Sequence, residues 1–256
     1  MNWKTFFAML ARDAHVARRN MVPLILQTML QPLLFVFIFG RVMTTSGLMP
    51  AAYKSMLLPG IIAISMVFTG IQAVAMPLIG EFQFTREIED RLLAPMNIGW
   101  LAVEKVVAGM IQALIAGSVV FPAAWLLMGS GLALNMGHPV TFVAIAVLVS
   151  LFSAAGGLTL GCSIGQTQIG LMFSLVLAPM IFFGCAYYPW SALNSFPILQ
   201  KAVLINPLVY ASEGFRATLV PQFPHLPIPA ILVVLLLMDA ALLVAGLNRF
   251  YRKAVS

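Results

Sequence analysis

The stretch "VVAGMIQALIAGSVVFPAAWLLM", residues 106–128, contains no charged side chain and sits inside a longer run of the same kind. Between Lys105 and Lys201 there are 95 consecutive residues without Asp, Glu, Lys or Arg. Two further charge-free runs, of 21 residues between Arg19 and Arg41 and of 26 between Lys54 and Glu81, precede it. An α-helix rises about 1.5 Å per residue, so about 20 apolar residues cross a bilayer core. Each run is long enough to span, and the longest spans more than once. Only 9% of the 256 residues are charged, against about 25% in an ordinary soluble domain. The expected fold is all-α: a polytopic membrane protein of six transmembrane helices, with an N-terminal interfacial helix and short re-entrant external helices. The alternating ten-residue segments of a transmembrane β-barrel are absent.

Six spans fit near 21–40, 56–79, 101–127, 139–162, 169–186 and 228–247, in one domain covering residues 1–256. The intervening "TTSGLMPAAYK", "GSGLALNMGHP" and "SIGQTQ" are rich in turn-forming residues. With both termini cytoplasmic, ten basic residues lie inside (Lys4, Arg12, Arg18, Arg19, Arg86, Arg91, Lys105, Arg249, Arg252 and Lys253). Four lie outside: Arg41, Lys54, Lys201 and Arg216. That split follows the positive-inside rule, and Trp3, Trp100, Trp125 and Trp190 all fall at expected interfaces. The formal charge of +6 thus reports topology, and no nucleic-acid partner is implied. The N-terminus does not read as a cleavable signal, because its apolar run is too long and no A-x-A-like site follows. Residues 1–20 place Trp3, Phe6, Phe7 and Leu10 on one helical face, as in a helix lying on the membrane surface.

The polar exception is "EFQFTREIEDRLLAPM", residues 81–96, with six charges in sixteen positions. It reads as a short helix: Thr85 caps it, Glu87 lies in the first turn, and Pro95 ends it. Glu87 and Arg91 are spaced i,i+4 with the acid first, and Phe84, Ile88 and Leu92 form an apolar edge. A docking surface and a solvated loop that merely sets topology both fit this pattern.

At this point the residues resemble a family. "TREIEDRLLAP" resembles the coupling-helix segment of type-2 ABC exporter permeases, and "NPLVYASEGFR", residues 206–216, resembles the segment before their last span. The order of parts is similar along the whole chain. The resemblance implies a transmembrane subunit that pairs with a second copy of itself, as a homodimer in the bacterial cytoplasmic membrane. It also implies two cytoplasmic ATP-binding subunits that hold ATP and Mg²⁺, with no cofactor on this chain. Arg86, Glu87, Glu89, Asp90, Arg91 and Leu92 then fall on the ATPase-docking segment, followed by Leu93 and Pro95. Many members carry Gly-Thr after the Arg-Glu, where this chain has Ile88-Glu89. The implied function is export of a hydrophobic or amphipathic substrate: a drug, a lipid or a lipid-linked glycan.

The external segment 187–227 is too long for a plain connection. The resemblance makes it a pair of short helices dipping into the outer leaflet; an amphipathic surface cap is the alternative. Glu213 and Arg216 within it are spaced to pair at i,i+3. Phe182, Phe183, Tyr187 and Tyr188 suit either an exit gate or an interfacial aromatic belt. Gln27, Gln31 and Gln72 are polar candidates for a pathway. Small residues recur at Gly109, Ala113 and Gly117 and at Ser153, Gly157, Gly161 and Gly165, and they favour close packing inside one protomer. Pro32, Pro77, Pro122 and Pro179 mark expected kinks.

Asp239 is the one acid near mid-membrane. It is expected to be protonated and hydrogen-bonded to a neighbouring helix; the rival function, a proton-coupled secondary transporter, would use it directly. The dipeptide Gly-Lys never occurs, so no P-loop is present, and His15, His138 and His225 lack metal-ligand spacing. Cys162 and Cys185 are expected at opposite membrane faces, unbridged. A membrane-embedded lipid enzyme would need clustered catalytic groups that the sequence does not offer.

Overall fold

The computed structural model describes residues 8–13, 15, 30, 32–50, 52–82, 98–128, 134, 135 and 137–255. Every element longer than a turn among them is helical. Residues 8–13 are helical. The elements that follow are α1 (Pro32–Thr45), α2 (Tyr53–Gly80), α3 (Ile98–Met128), α4 (Pro139–Ser163), α5 (Ile169–Phe182), α6 (Pro197–Ala202), α7 (Pro207–Leu219) and α8 (Ile228–Val255). The four long helices α2, α3, α4 and α8 each have the length and apolarity to cross a bilayer. With the two shorter apolar helices α1 and α5 they form a polytopic membrane bundle.

At its centre lies α2, with no polar face and most of its residues buried. Helices α3, α4 and α7 pack on it, and α8 packs chiefly on α4. The outer helices turn apolar side chains outward, among them Leu126 of α3, Val140 of α4 and Leu237 of α8. In water such surfaces are a liability; against acyl chains they carry no penalty.

Two glycines set how closely the helices approach. A Cβ on Gly157 of α4 would lie 2.6 Å from the Ile71 carbonyl oxygen of α2. One on Gly60 would lie 1.8 Å from the Ala186 carbonyl oxygen. Only a residue without a side chain permits these backbone contacts. The small-residue stripes are therefore used inside the protomer, with Gly109 and Gly117 of α3 and Gly161 of α4 also against α2. Gly165 lies beyond the end of α4 and takes no part.

Several boundaries move. α1 continues past residue 40 to Thr45, because the Thr44 and Thr45 hydroxyls donate to the Gly40 and Arg41 carbonyls, each at 2.7 Å, and satisfy its last turn. Gly47, with φ 76°, then ends the rod. α5 stops at Phe182 rather than 186, and α8 runs on to Val255. Residues 36–42 of α1 and 172–177 of α5 are wound as π-helix. In α5 the wider turn lies just before Pro179, whose ring would otherwise press on the carbonyl four residues earlier.

The region 187–227 divides in two. Phe196, Ile198 and Ile205 are exposed, whereas α7 is buried from Leu208 to Leu219 on every side. The surface-cap reading fails for α7, because its polar side chains find partners inside the bundle. Cys162 and Cys185 are both buried free thiols.

Gly157→Leu should destabilise the detergent-solubilised protein by on the order of 1–3 kcal/mol, read as a lower thermal midpoint. Gly137→Leu, at a position with open space around it, should leave the midpoint unchanged.

Candidate functional site

Chemistry-bearing groups gather at the two ends of the bundle. At one end, α2 runs out through Glu81 and Phe82, the chain passes through residues 83–97, and α3 begins at Ile98. Lys105 lies two turns into α3, with its side chain 6% exposed. Its Nζ donates to Glu81 Oε1 and to Asp13 Oδ2, each at 2.6 Å. One cation thus joins the helix before the loop, the helix after it and the segment 8–13. Taking these charges out of water is costly and is offset only by direct, well-made ion pairs.

The other side of the stem is aromatic. The Phe82 ring meets Phe250 of α8 edge-on, with centroids 5.8 Å apart. Lys253 Nζ sits 4.7 Å from the Phe82 centroid and donates to the Gly161 carbonyl at 3.4 Å. Met9, Leu101, Val106 and Phe250 share one apolar cluster with Phe82. The stem is therefore held by segment 8–13, α3, α4 and α8 together. Arg86, Glu87, Glu89, Asp90, Arg91 and Leu92, the docking residues expected from sequence, lie outside the described residues, as do Gln27 and Gln31.

At the opposite end, α7 carries a second charged knot. Glu213 and Arg216 have no exposed side-chain surface and form a direct ion pair. Glu213 Oε1 also accepts from the Trp190 N–H at 2.9 Å, and Oε2 from the Leu226 N–H at 3.0 Å. Arg216 Nη2 donates to the Cys185 carbonyl at 3.0 Å. Cys185 adopts φ 51°, an uncommon conformation for a residue with a side chain, in the turn that offers its carbonyl to Arg216. Ser212 donates to the Gly184 carbonyl at 2.9 Å, and Asn206, capping α7, donates to Met180 O at 2.7 Å. The i,i+3 spacing anticipated the pair but not its burial, nor the three backbone groups it pins.

The four aromatic gate candidates do not form one cluster. Phe182 and Phe183 point outward, 56% and 46% exposed. Tyr187 turns inward and stacks on Phe35, centroids 4.7 Å apart, while its carbonyl accepts from the Tyr53 hydroxyl at 2.7 Å. Burial pushes the Tyr187 phenol above its ordinary range, with Tyr53 adding to it, so the ring stays neutral. Tyr188 donates to the Phe182 carbonyl at 2.9 Å. Beside Phe183 opens an apolar cavity of about 520 Å³ lined by Leu175, Pro179, Val203, Ile205 and Pro207.

Gln72 is buried in α2. Asp239 is 2% exposed, and among the described residues neither carboxylate oxygen has a hydrogen-bond partner. The hydrogen bond expected to a neighbouring helix is therefore not made among the described residues, because apolar side chains dominate the faces packed around α8. Among the described residues no group of His, Cys, Asp and Glu has the arrangement of a metal site.

Arg216→Met strands the buried Glu213 carboxylate and should cost about 3–5 kcal/mol. The double variant Glu213→Gln/Arg216→Met should recover much of that loss. Thermal unfolding of the two variants in one detergent measures the difference.

Residues 4–220 match a family model described as ABC-2 type transporter. No curated protein matches the chain. The family consists of permeases without a nucleotide-binding domain, and ATP hydrolysis falls to a separate subunit. The match covers most of the sequence and agrees with a helical membrane bundle whose two spans flank a charged loop: the chain belongs to the ABC-2 type transporter family.

Proposed function

We propose that the chain is the membrane subunit of an ATP-driven exporter, acting as a homodimer with two cytoplasmic ATP-binding subunits that hold ATP and Mg²⁺. The observation that carries this reading is the stem of the 83–97 loop, clamped by Lys105 on one side and by Phe250 and Lys253 on the other. A loop that only set topology would have no need of so rigid a mounting. In this reading both termini and the loop face the cytoplasm, and the protein resides in a bacterial cytoplasmic membrane.

ATP binding closes the partner subunits, and the segment around Arg86–Leu93 takes up their movement. The clamped stem passes it into α2, and α2 carries it to α1 and α5. Both of those contain π-helical stretches, whose looser winding leaves room for a change of register. The substrate leaves between protomers near the outward-facing Phe182 and Phe183, with Gln27, Gln31 and Gln72 as pathway candidates. Few polar side chains occur in the spans, which suits a hydrophobic or amphipathic cargo: a drug, a lipid or a lipid-linked glycan.

Purification from native membranes at low salt should yield a stoichiometric nucleotide-binding protein. Raised salt should weaken the complex, because salt screens attraction between charges on two water-facing partners. Glu87→Lys with Glu89→Lys should release the partner without altering the size-exclusion profile. Recovery of the chain alone, even at low salt, contradicts the reading.

Asp239, buried without a hydrogen-bond partner among the described residues, favours one rival, a proton-coupled secondary transporter. Under the ATP-driven reading, Asp239→Asn leaves the ATPase rate of the complex within about twofold of wild type. Substrate movement driven by a pH gradient without ATP, and abolished by Asp239→Asn, would establish the rival instead.

A further inference from the structure

We propose that Lys105 is a positioning residue for energy coupling, one that locks segment 8–13 to the stem of the 83–97 loop so that the two move as one body. This rests on the ATP-driven reading above. Three segments distant in sequence meet at one ammonium group: Glu81 directly follows α2, Lys105 lies two turns into α3, and Asp13 belongs to the helical segment 8–13. Both ion pairs are 2.6 Å long, and the three side chains are 6–14% exposed.

The arrangement has a property that simple packing lacks. Lys105 is a cation common to two carboxylates on separate segments, so removing it breaks both ion pairs at once. Segment 8–13 then loses its charged tie to the stem. Burial shields the clasp from salt, whereas charges at a solvent-facing contact are screened. The two layers of electrostatics therefore separate: salt that strips a partner from the loop leaves the clasp closed.

In a complex lacking the clasp, force arriving at residues 83–97 bends the stem and no longer carries the N-terminal helix with it. Partner binding survives, because the docking residues are untouched; coupling is lost.

The test pairs two readouts. Spin labels at Ala11→Cys and Asn248→Cys, both at exposed positions, report whether the N-terminal helix stays docked; the native thiols are buried and stay unlabelled. The ATPase rate of the full complex in nanodiscs, relative to the partner alone, reports coupling. Wild type should give a narrow distance distribution and a stimulated rate. Lys105→Ala should broaden the distribution and reduce stimulation at least about tenfold while the partner remains bound, and Lys105→Arg should restore most of both. Asp13→Asn keeps the Lys105–Glu81 pair, guards against a misfolded alanine variant, and should give the same broadening and loss.

A narrow distribution in both Lys105→Ala and Asp13→Asn overturns the proposal, as does broadening with coupling intact. If wild type shows no nucleotide-dependent partner, the exporter reading falls, and the positioning role falls with it whatever the distances show. If wild type couples but the variants couple equally well, the exporter reading stands and the role of Lys105 alone is refuted.

Discussion

The close approach of α2 to its neighbours is the constraint on which the bundle depends. Where Gly157 meets the Ile71 carbonyl and Gly60 meets Ala186, backbone touches backbone, leaving no room for side chains to adjust. In a bilayer, lipid tails are as apolar as leucine, so helix association relies on this contact area rather than on escape from water. A helix gripped at both ends and along its length moves as a rod. That property lets a displacement at one membrane face reach the other.

Charge supplies the fasteners at the two ends of the rod. Glu213 and Arg216 are wholly buried and tie α7 to Trp190, Leu226 and Cys185. Lys105 ties the loop stem to segment 8–13. A buried ion pair adds little net stability compared with a well-packed apolar substitute, but it tolerates only one geometry. Both knots join segments far apart in sequence, which is where register would otherwise be least determined. Both also lie next to the regions in which an exporter has to move.

Much of this architecture was legible from charge alone. The charge-free runs located α2, α3 and α4 within a few residues, since a bilayer excludes unpaired charge whatever the detailed packing, whereas α8 runs eight residues past its expected end. Boundaries were harder to read, as in α1, where the Thr45 hydroxyl donates to the Arg41 carbonyl, which was expected to lie just past the span. The burial of α7 was hidden because "NPLVYASEGFR" carries an acid and a base and resembles an amphipathic surface segment. Only their mutual pairing lets such a helix enter a bundle. Lys105 was counted merely as a topology charge, although a Glu-Lys pair set in an otherwise apolar stretch is a signal in itself. The aromatic residues after α5 were read as a set from their proximity in sequence, while the turn at Cys185 sends Tyr187 inward and leaves Phe182 and Phe183 outside.

The most direct test of transmission along α2 uses one spin label per protomer at Leu48, exposed at the end of the bundle opposite the 83–97 loop. With the ATP-binding partner attached in nanodiscs, the distance between the two labels is measured with and without Mg-ATP. A nucleotide-dependent shift is predicted at this end, remote from any nucleotide. An unchanged distance, with the partner bound and hydrolysing ATP, would contradict force transfer through the bundle.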